Sequence, residues 1–270
     1  MNMFYAILLG FLQGATEFLP ISSSGHLVLA EYFLGLEEVG LSFDVSLHLG
    51  TLLAILVYFR RDFLLMARAL LFARDLEEEE GVFYRKLAFY IILATIPGVL
   101  AGIFLNDLVE TTFRQPVLVA TTLGAIGLLL LWAERVGKRH RDIGRLGLGD
   151  ALIIGVAQAL AIFPGVSRSG ITMTAGLFAG FNRQTAARFS FMLSAPIIFG
   201  AGVYHVPEII KQGGEQGKFG IYFAGFLAAT VSGYMFIAWL LKFIRTRTFD
   251  IFAYYRLGLA LTVYLILILN

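Results

Sequence analysis

Residues 13–26 read Gln13-Gly-Ala-Thr-Glu17-Phe-Leu-Pro20-Ile-Ser22-Ser23-Ser24-Gly25-His26. They set an acid, three adjacent hydroxyls and an imidazole inside a chain that is otherwise apolar. Each such group costs several kcal/mol in hydrocarbon if it is left unpaired, so the stretch is expected to line a wet or ligand-filled cavity. Pro20 lacks an N–H and clashes with the preceding turn, so a helix that begins near residue 3 has to break before Ser22.

Around this stretch, 58% apolar residues, 14% aromatics and a mean hydropathy of +0.79 exclude an ordinary soluble domain. The chain is an integral membrane protein. Apolar runs of roughly twenty residues, enough to cross a hydrocarbon core of about 30 Å, recur along it. Spanning helices are predicted at about 44–60, 84–106, 115–134, 185–205, 219–242 and 249–269. The segments 3–34 and 148–180 are different, because Pro20 in one and Pro164-Gly165 in the other cut them into pieces too short to span. Broken helices at membrane depth persist only where protein or water satisfies the freed backbone groups, so both are predicted to be re-entrant helix-loop-helix hairpins. Met1–Gly10 lacks the basic region and cleavage site of a signal peptide and is expected to stay. The absence of cysteine excludes disulfides and thiolate metal sites.

The two broken segments match each other. Residues 6–26 align with 151–171 without a gap, pairing Ala6/Ala151, Gly10/Gly155, Gln13/Gln158, Phe18/Phe163, Ser22/Ser167, Ser24/Ser169 and Gly25/Gly170. The expected architecture is therefore an all-α polytopic membrane protein of one domain, residues 1–270, built from repeat halves 1–134 and 148–270. Each half has one hairpin and three crossings, an odd number, so the halves should be inverted in the membrane. Loop charge agrees: sixteen cations, from Arg60 to Arg247, fall on one side and only Arg114, Lys211 and Lys218 on the other. Full spanning by both broken segments would give thirteen against six. The positive-inside rule thus favours inversion and puts both termini, and the loop near Glu38, outside.

The repeat fails at informative places: Glu17 aligns with Ile162, Ser23 with Arg168 and His26 with Ile171. One half supplies an acid, a nucleophile and a base, and the other a permanent cation. Ser22–Gly25 and Ser167–Gly170 are natural N-caps, which would aim two helix N-termini at one anion. Ser22, Ser24, Ser167 and Ser169 are the expected caps and Ser23 the expected nucleophile. Arg168 offers a fork suited to phosphate; Gln13 and Glu17, four apart on one helical face, offer hard oxygen ligands of the kind Mg²⁺ or Ca²⁺ prefers. Gln13 could equally be a packing amide, as Gln158 stands at the matching position. Arg256, beside Tyr254 and Tyr255, is expected to snorkel to the cytoplasmic surface, and His48 to be a packed histidine. Asp75-Leu-Glu-Glu-Glu-Glu80 is expected to be a solvated loop.

Gln13-x-x-x-Glu17-Phe-Leu-Pro-x-Ser-Ser-Ser-Gly-His26, together with Pro164-Gly-Val-Ser-Arg-Ser-Gly170, resembles the undecaprenyl-diphosphate phosphatase family of bacteria, the bacitracin-resistance type. Phe43-Asp-Val-Ser-Leu-His-Leu-Gly-Thr51 and Arg188-Phe-Ser-Phe-Met-Leu-Ser194 also look like segments of that family, and the likeness covers the chain. The resemblance implies a hydrolase of the bacterial inner membrane that removes the terminal phosphate of undecaprenyl diphosphate. The product would be the monophosphate carrier needed for peptidoglycan synthesis. It further implies catalysis by Glu17, Ser23, His26 and Arg168, with the head group bound by Gln13, Ser22, Ser24, Gly25, Ser167, Ser169 and Gly170. A divalent metal, Mg²⁺ or Ca²⁺, would sit on Glu17 and Gln13. Gln13 is one carboxylate fewer than members with Glu there, which weakens a two-carboxylate metal scheme. The expected partners are the polyprenyl diphosphate and membrane lipid, with a homodimer as an open alternative and no nucleic acid. A transporter or flippase for an anionic polyprenyl lipid is the rival reading, since inverted repeats with broken helices are also a transporter design.

Overall fold

The computed structural model describes residues 2–35, 41–72, 77–113, 115–215 and 219–269, leaving aside the side chains of 34, 41, 106, 107, 110, 111 and 212–215; the expectations on Glu38, Arg74, Asp75, Leu76, Arg114 and Lys218 fall outside these residues. The regular elements among the described residues are helices. In chain order they are α1 (Met3–Phe18), α2 (Ser23–Leu34), α3 (Leu41–Tyr58), α4 (Arg60–Leu71), α5 (Glu78–Thr112) and α6 (Pro116–Val136), then α7 (Leu148–Ala159), α8 (Arg168–Phe178), α9 (Arg183–Glu215), α10 (Phe219–Phe243) and α11 (Asp250–Leu269). Short 3-10 turns lie at Ile143–Arg145 and Leu160–Ile162.

Local chemistry sets several of these limits. Asn2 caps α1 by accepting from the Tyr5 N–H at 3.0 Å, and Pro116 opens α6, where a missing N–H costs nothing. Gly35 ends α2 in the left-handed conformation, φ 63°, with its N–H turned back to Glu31 and Tyr32. Glu78, Glu79 and Glu80 form the first turn of α5, where acidic side chains complement the helix dipole. The acidic run is thus a helix start at its described end, a correction to the solvated loop expected there.

Helices α5, α6, α9, α10 and α11 are long and apolar enough to cross a membrane. The sixth predicted span corresponds to α3, which turns by 77° at Phe59 into α4. The sequence reading had no helix there. Helix α4 carries Arg60, Arg61 and Arg68 beside exposed Leu64, Leu70 and Leu71, an amphipathic pattern suited to an interface. The protein is a multi-pass, all-α membrane protein.

Helices distant in the chain interlock. Helix α1 packs chiefly on α10 and α7 on α5, while α3 and α9, and α6 and α11, also pair. The repeat glycines make the first two contacts close. A Cβ on Gly10 would lie 2.3 Å from the Gly225 carbonyl oxygen, and one on its counterpart Gly155 would lie 2.7 Å from that of Ala94. Small residues at such crossings let helix backbones approach, the main source of helix association in lipid.

At the cation-rich end, Glu134 of α6 is buried and satisfied by three residues, Arg183 at the start of α9 and Arg139 and Phe249 in connecting segments. It accepts from Arg183 Nε and Nη2 at 2.8 Å each, from Arg139 Nη1 at 2.9 Å and from the Phe249 N–H at 2.9 Å. Removing one partner of a buried network strands the others, at a cost of about 3–5 kcal/mol. Glu134→Ala should lower the unfolding temperature in detergent by about 10 °C. Arg135→Ala, which breaks the exposed pair with Asp250, should move it little; equal effects from the two variants would refute the assignment.

Candidate active site

Both hairpins break as the prolines require, and they do so alike. Ser22 and Ser167 are the N-caps of α2 and α8; both are non-glycine residues at positive φ, 77° and 71°. Each cap hydroxyl accepts the N–H three residues on, from Gly25 at 3.2 Å and from Gly170 at 3.0 Å. Each also meets the next-but-one serine, Ser24 at 3.3 Å and Ser169 at 3.2 Å. Strained backbone of this kind persists only where the surroundings over-determine it, at a cost on the order of 1–3 kcal/mol per residue. As a result, Ser23 and Arg168 are the first helical residues of α2 and α8.

The loops meet at several points. Ser169 Oγ donates to the Leu19 carbonyl at 2.9 Å, crossing from the second break to the first. A Cβ on Gly25 would lie 3.3 Å from Gly165 Cα. Thr122 of α6 supports the second break by donating to the Pro164 carbonyl at 2.6 Å.

Arg256 completes this scaffold. Wholly buried, it donates from Nη1 to Pro20 O at 3.1 Å, from Nη2 to Gly165 O at 2.8 Å and Val166 O at 3.0 Å, and from Nε to Leu123 O at 3.1 Å. It does not snorkel: one guanidinium ties both broken loops to α6. That corrects the surface role expected for it. A helix break frees carbonyls that need donors in hydrocarbon, and a fork of five N–H groups can serve several together.

Glu17 is the centre. Its Oε1 accepts from Arg168 Nη2 and its Oε2 from Ser23 Oγ, both in close contact, and Gln13 Nε2 donates to Oε2 at 3.0 Å. His48 of α3 points Nε2 at the same oxygen from 3.6 Å, its Nδ1 bonded to the Asp44 carbonyl at 2.8 Å. The acid, hydroxyl and guanidinium that the sequence singled out are thus brought together, although Glu17 and Arg168 lie 151 residues apart. All three line one cavity of about 350 Å³, shared with His48, Ser24, Gln158 and Ser167. His48 is a cavity residue, not the packed histidine expected.

His26 is placed differently from the expectation. Its Nδ1 lies 2.6 Å from the Ser22 carbonyl, which can only accept, and its Nε2 lies 2.7 Å from the Tyr255 hydroxyl. Both ring nitrogens are engaged away from Ser23, and the ring does not line the cavity. His26 is therefore not placed as the base predicted for Ser23, whose hydroxyl donates to Glu17 instead. His26 instead holds the strained Ser22 carbonyl, with Tyr255 holding His26.

A divalent metal on Glu17 and Gln13, as expected, would find one buried oxygen without a hydrogen-bond partner, Gln13 Oε1. Both oxygens of Glu17 are taken by cationic or hydrogen-bonding partners, and Gln13 turns its N–H, not its oxygen, toward that carboxylate. Among the described residues no three His, Asp or Glu side chains form a group able to hold a metal.

The whole chain, not only the site, has relatives. The family model described as bacitracin resistance protein BacA matches residues 6–262. The chain belongs to the BacA family. A relative named undecaprenyl-diphosphatase from Rubrobacter xylanophilus is 46% identical over the full length of both chains. Relatives of the same name from Moorella thermoacetica and Geobacter sulfurreducens are 45% and 46% identical, covering 96% and 95% of each chain. The residues whose roles the sequence reading missed are Arg256, Tyr255 and His48, whose sequence signal was only a charge, a phenol or an imidazole inside an apolar helix.

Proposed function

We infer that this protein hydrolyses undecaprenyl diphosphate to undecaprenyl phosphate and inorganic phosphate. The observation that carries the reading is the Ser23–Glu17–Arg168 cluster in a cavity at the junction of two broken helices: a hydroxyl on a carboxylate, beside a guanidinium. Binding and moving an anion would need the guanidinium and the helix ends, but not the hydroxyl–carboxylate pair. The name undecaprenyl-diphosphatase carried by the relatives supports the same chemistry.

In the resting arrangement Arg168 neutralises Glu17. A terminal phosphoryl group, with more negative charge and a matching pair of oxygens, competes for the guanidinium, and the backbone N–H groups at the starts of α2 and α8 add to its hold. Glu17 is then free to take the Ser23 proton. Ser23 Oγ attacks the terminal phosphorus, the bridging P–O bond breaks, and the lipid monophosphate departs with the bonding electron pair as its anion. Arg168 stabilises charge on the equatorial oxygens. Water then attacks the seryl phosphate, His48 takes the water's proton, and Glu17 returns its proton to Ser23 Oγ. Direct attack by water held on Glu17 is the alternative, and acid trapping of a labelled phospho-protein separates the two. The deciding test of function is phosphate release by purified protein in detergent, where no second compartment exists. Release makes it a phosphatase; lipid movement in vesicles without release makes it a transporter and overturns the reading.

The inverted orientation, with both termini outside and the site reached from the outer face, is part of the same proposal and rests on the loop-charge asymmetry. In intact cells an impermeant thiol reagent should label Glu38→Cys and spare Arg141→Cys. The reverse pattern would overturn the orientation.

A further inference from the structure

The active-site cavity has two chemically distinct walls. One carries Glu17, Ser23, His48 and Arg168; the other is apolar, formed by Gly98 and Gly102 of α5 and by Ile197, Ile198 and Ala201 of α9. At about 350 Å³ the cavity can house a head group and the start of a prenyl chain, but not the whole chain, which has to leave it. We propose that the tail leaves sideways between α5 and α9, over Gly98 and Gly102, and that Gly102 keeps this exit wide enough for a long prenyl chain. The inference rests on the phosphatase reading for its ligand.

The glycines show where the gap opens. A Cβ on Gly98 would lie 2.6 Å from Ile197 Cδ1 and 3.3 Å from Gln158 Nε2, so the helices touch at that level. One turn further on the same face, a Cβ on Gly102 would meet nothing within 4 Å. Close helix packing explains Gly98 but not Gly102, which lines the cavity and remains exposed. Both helices carry a proline at this level, Pro97 and Pro196, so each lacks an intrahelical hydrogen bond beside the gap. The exit is continuous with the polar wall, which keeps the phosphates beside Arg168 while the first prenyl units lie against Ile197, Ile198 and Ala201.

Because a Cβ at residue 102 would meet nothing within 4 Å, a side chain can start there without a backbone clash, and a large one should obstruct the exit. Gly102→Phe should lower kcat/KM for undecaprenyl diphosphate about tenfold, chiefly through KM, while Ile103→Phe, one residue along on an exposed face, stays within about twofold of wild type. Equal kcat/KM for the two variants overturns the proposal. A second measurement does not depend on turnover. In this cysteine-free chain, maleimide modification of Gly102→Cys should be slowed by undecaprenyl diphosphate and not by inorganic diphosphate. No slowing, or equal slowing by both, also overturns it. Failure of wild-type protein to release phosphate would sink the phosphatase reading instead, and the thiol measurement would still report whether a lipid tail lies at Gly102.

Discussion

Glu17→Gln should lower kcat about a thousandfold, the middle of the range for loss of a general base. The substitution keeps the shape of the side chain and its bonds to Gln13 and Ser23, so the fold should survive. What disappears is the proton acceptor for Ser23 Oγ. Affinity should move the other way. Without a carboxylate to neutralise, Arg168 is released toward the cavity, so inorganic phosphate should bind and inhibit more tightly than in wild type. The two effects of opposite sign distinguish a base from a structural acid, whose loss would weaken both. Turnover within about tenfold of wild type would remove Glu17 from the chemistry.

Arg168→Lys is expected to cost about a hundredfold in rate, equivalent to roughly 3 kcal/mol of transition-state stabilisation. A lysine keeps one charge near Glu17 but cannot hold two phosphoryl oxygens in a plane. Those bonds strengthen as charge develops on the equatorial oxygens, so kcat should fall more than affinity. Arg256→Lys is not a suitable control, because Arg256 holds both broken loops through three carbonyls and α6 through a fourth. Arg60→Lys, on the exposed face of α4, is the appropriate control and should behave as wild type. Hydrolysis within a few-fold of wild type by Arg168→Lys would make Arg168 a structural charge.

The parts of the site that could be read from the chain are those in which both partners are unusual residues. Proline marked both breaks, and the matched serines marked both caps because a hydroxyl at a helix start has few other uses. Glu17 and Arg168 stood out as charges that no solvated loop explained. What could not be read is what depends on partners without side-chain identity. Arg256 binds only backbone carbonyls, which leave no trace in composition, so its neighbours Tyr254 and Tyr255 suggested a membrane surface instead. His26 stood three residues from the presumed nucleophile, but helix α2 turns its ring toward Tyr255, more than two hundred residues away. Helix α4 was missed because its apolar face is too short to register as a span.

The interlocking of helices distant in the chain also governs how the protein can be made. Glu17 leaves the ribosome 151 residues before Arg168, and α1 leaves still earlier relative to α10, the helix it packs against. At about 5–20 residues per second, an acid meant for the membrane interior waits on the order of ten seconds or more for its cation. The first hairpin therefore cannot settle in its final place as it is synthesised. Glu17 must be sheltered by water, by the insertion machinery or in its protonated form until the second hairpin arrives. A chain stalled before Arg168 would carry an acid without its cation.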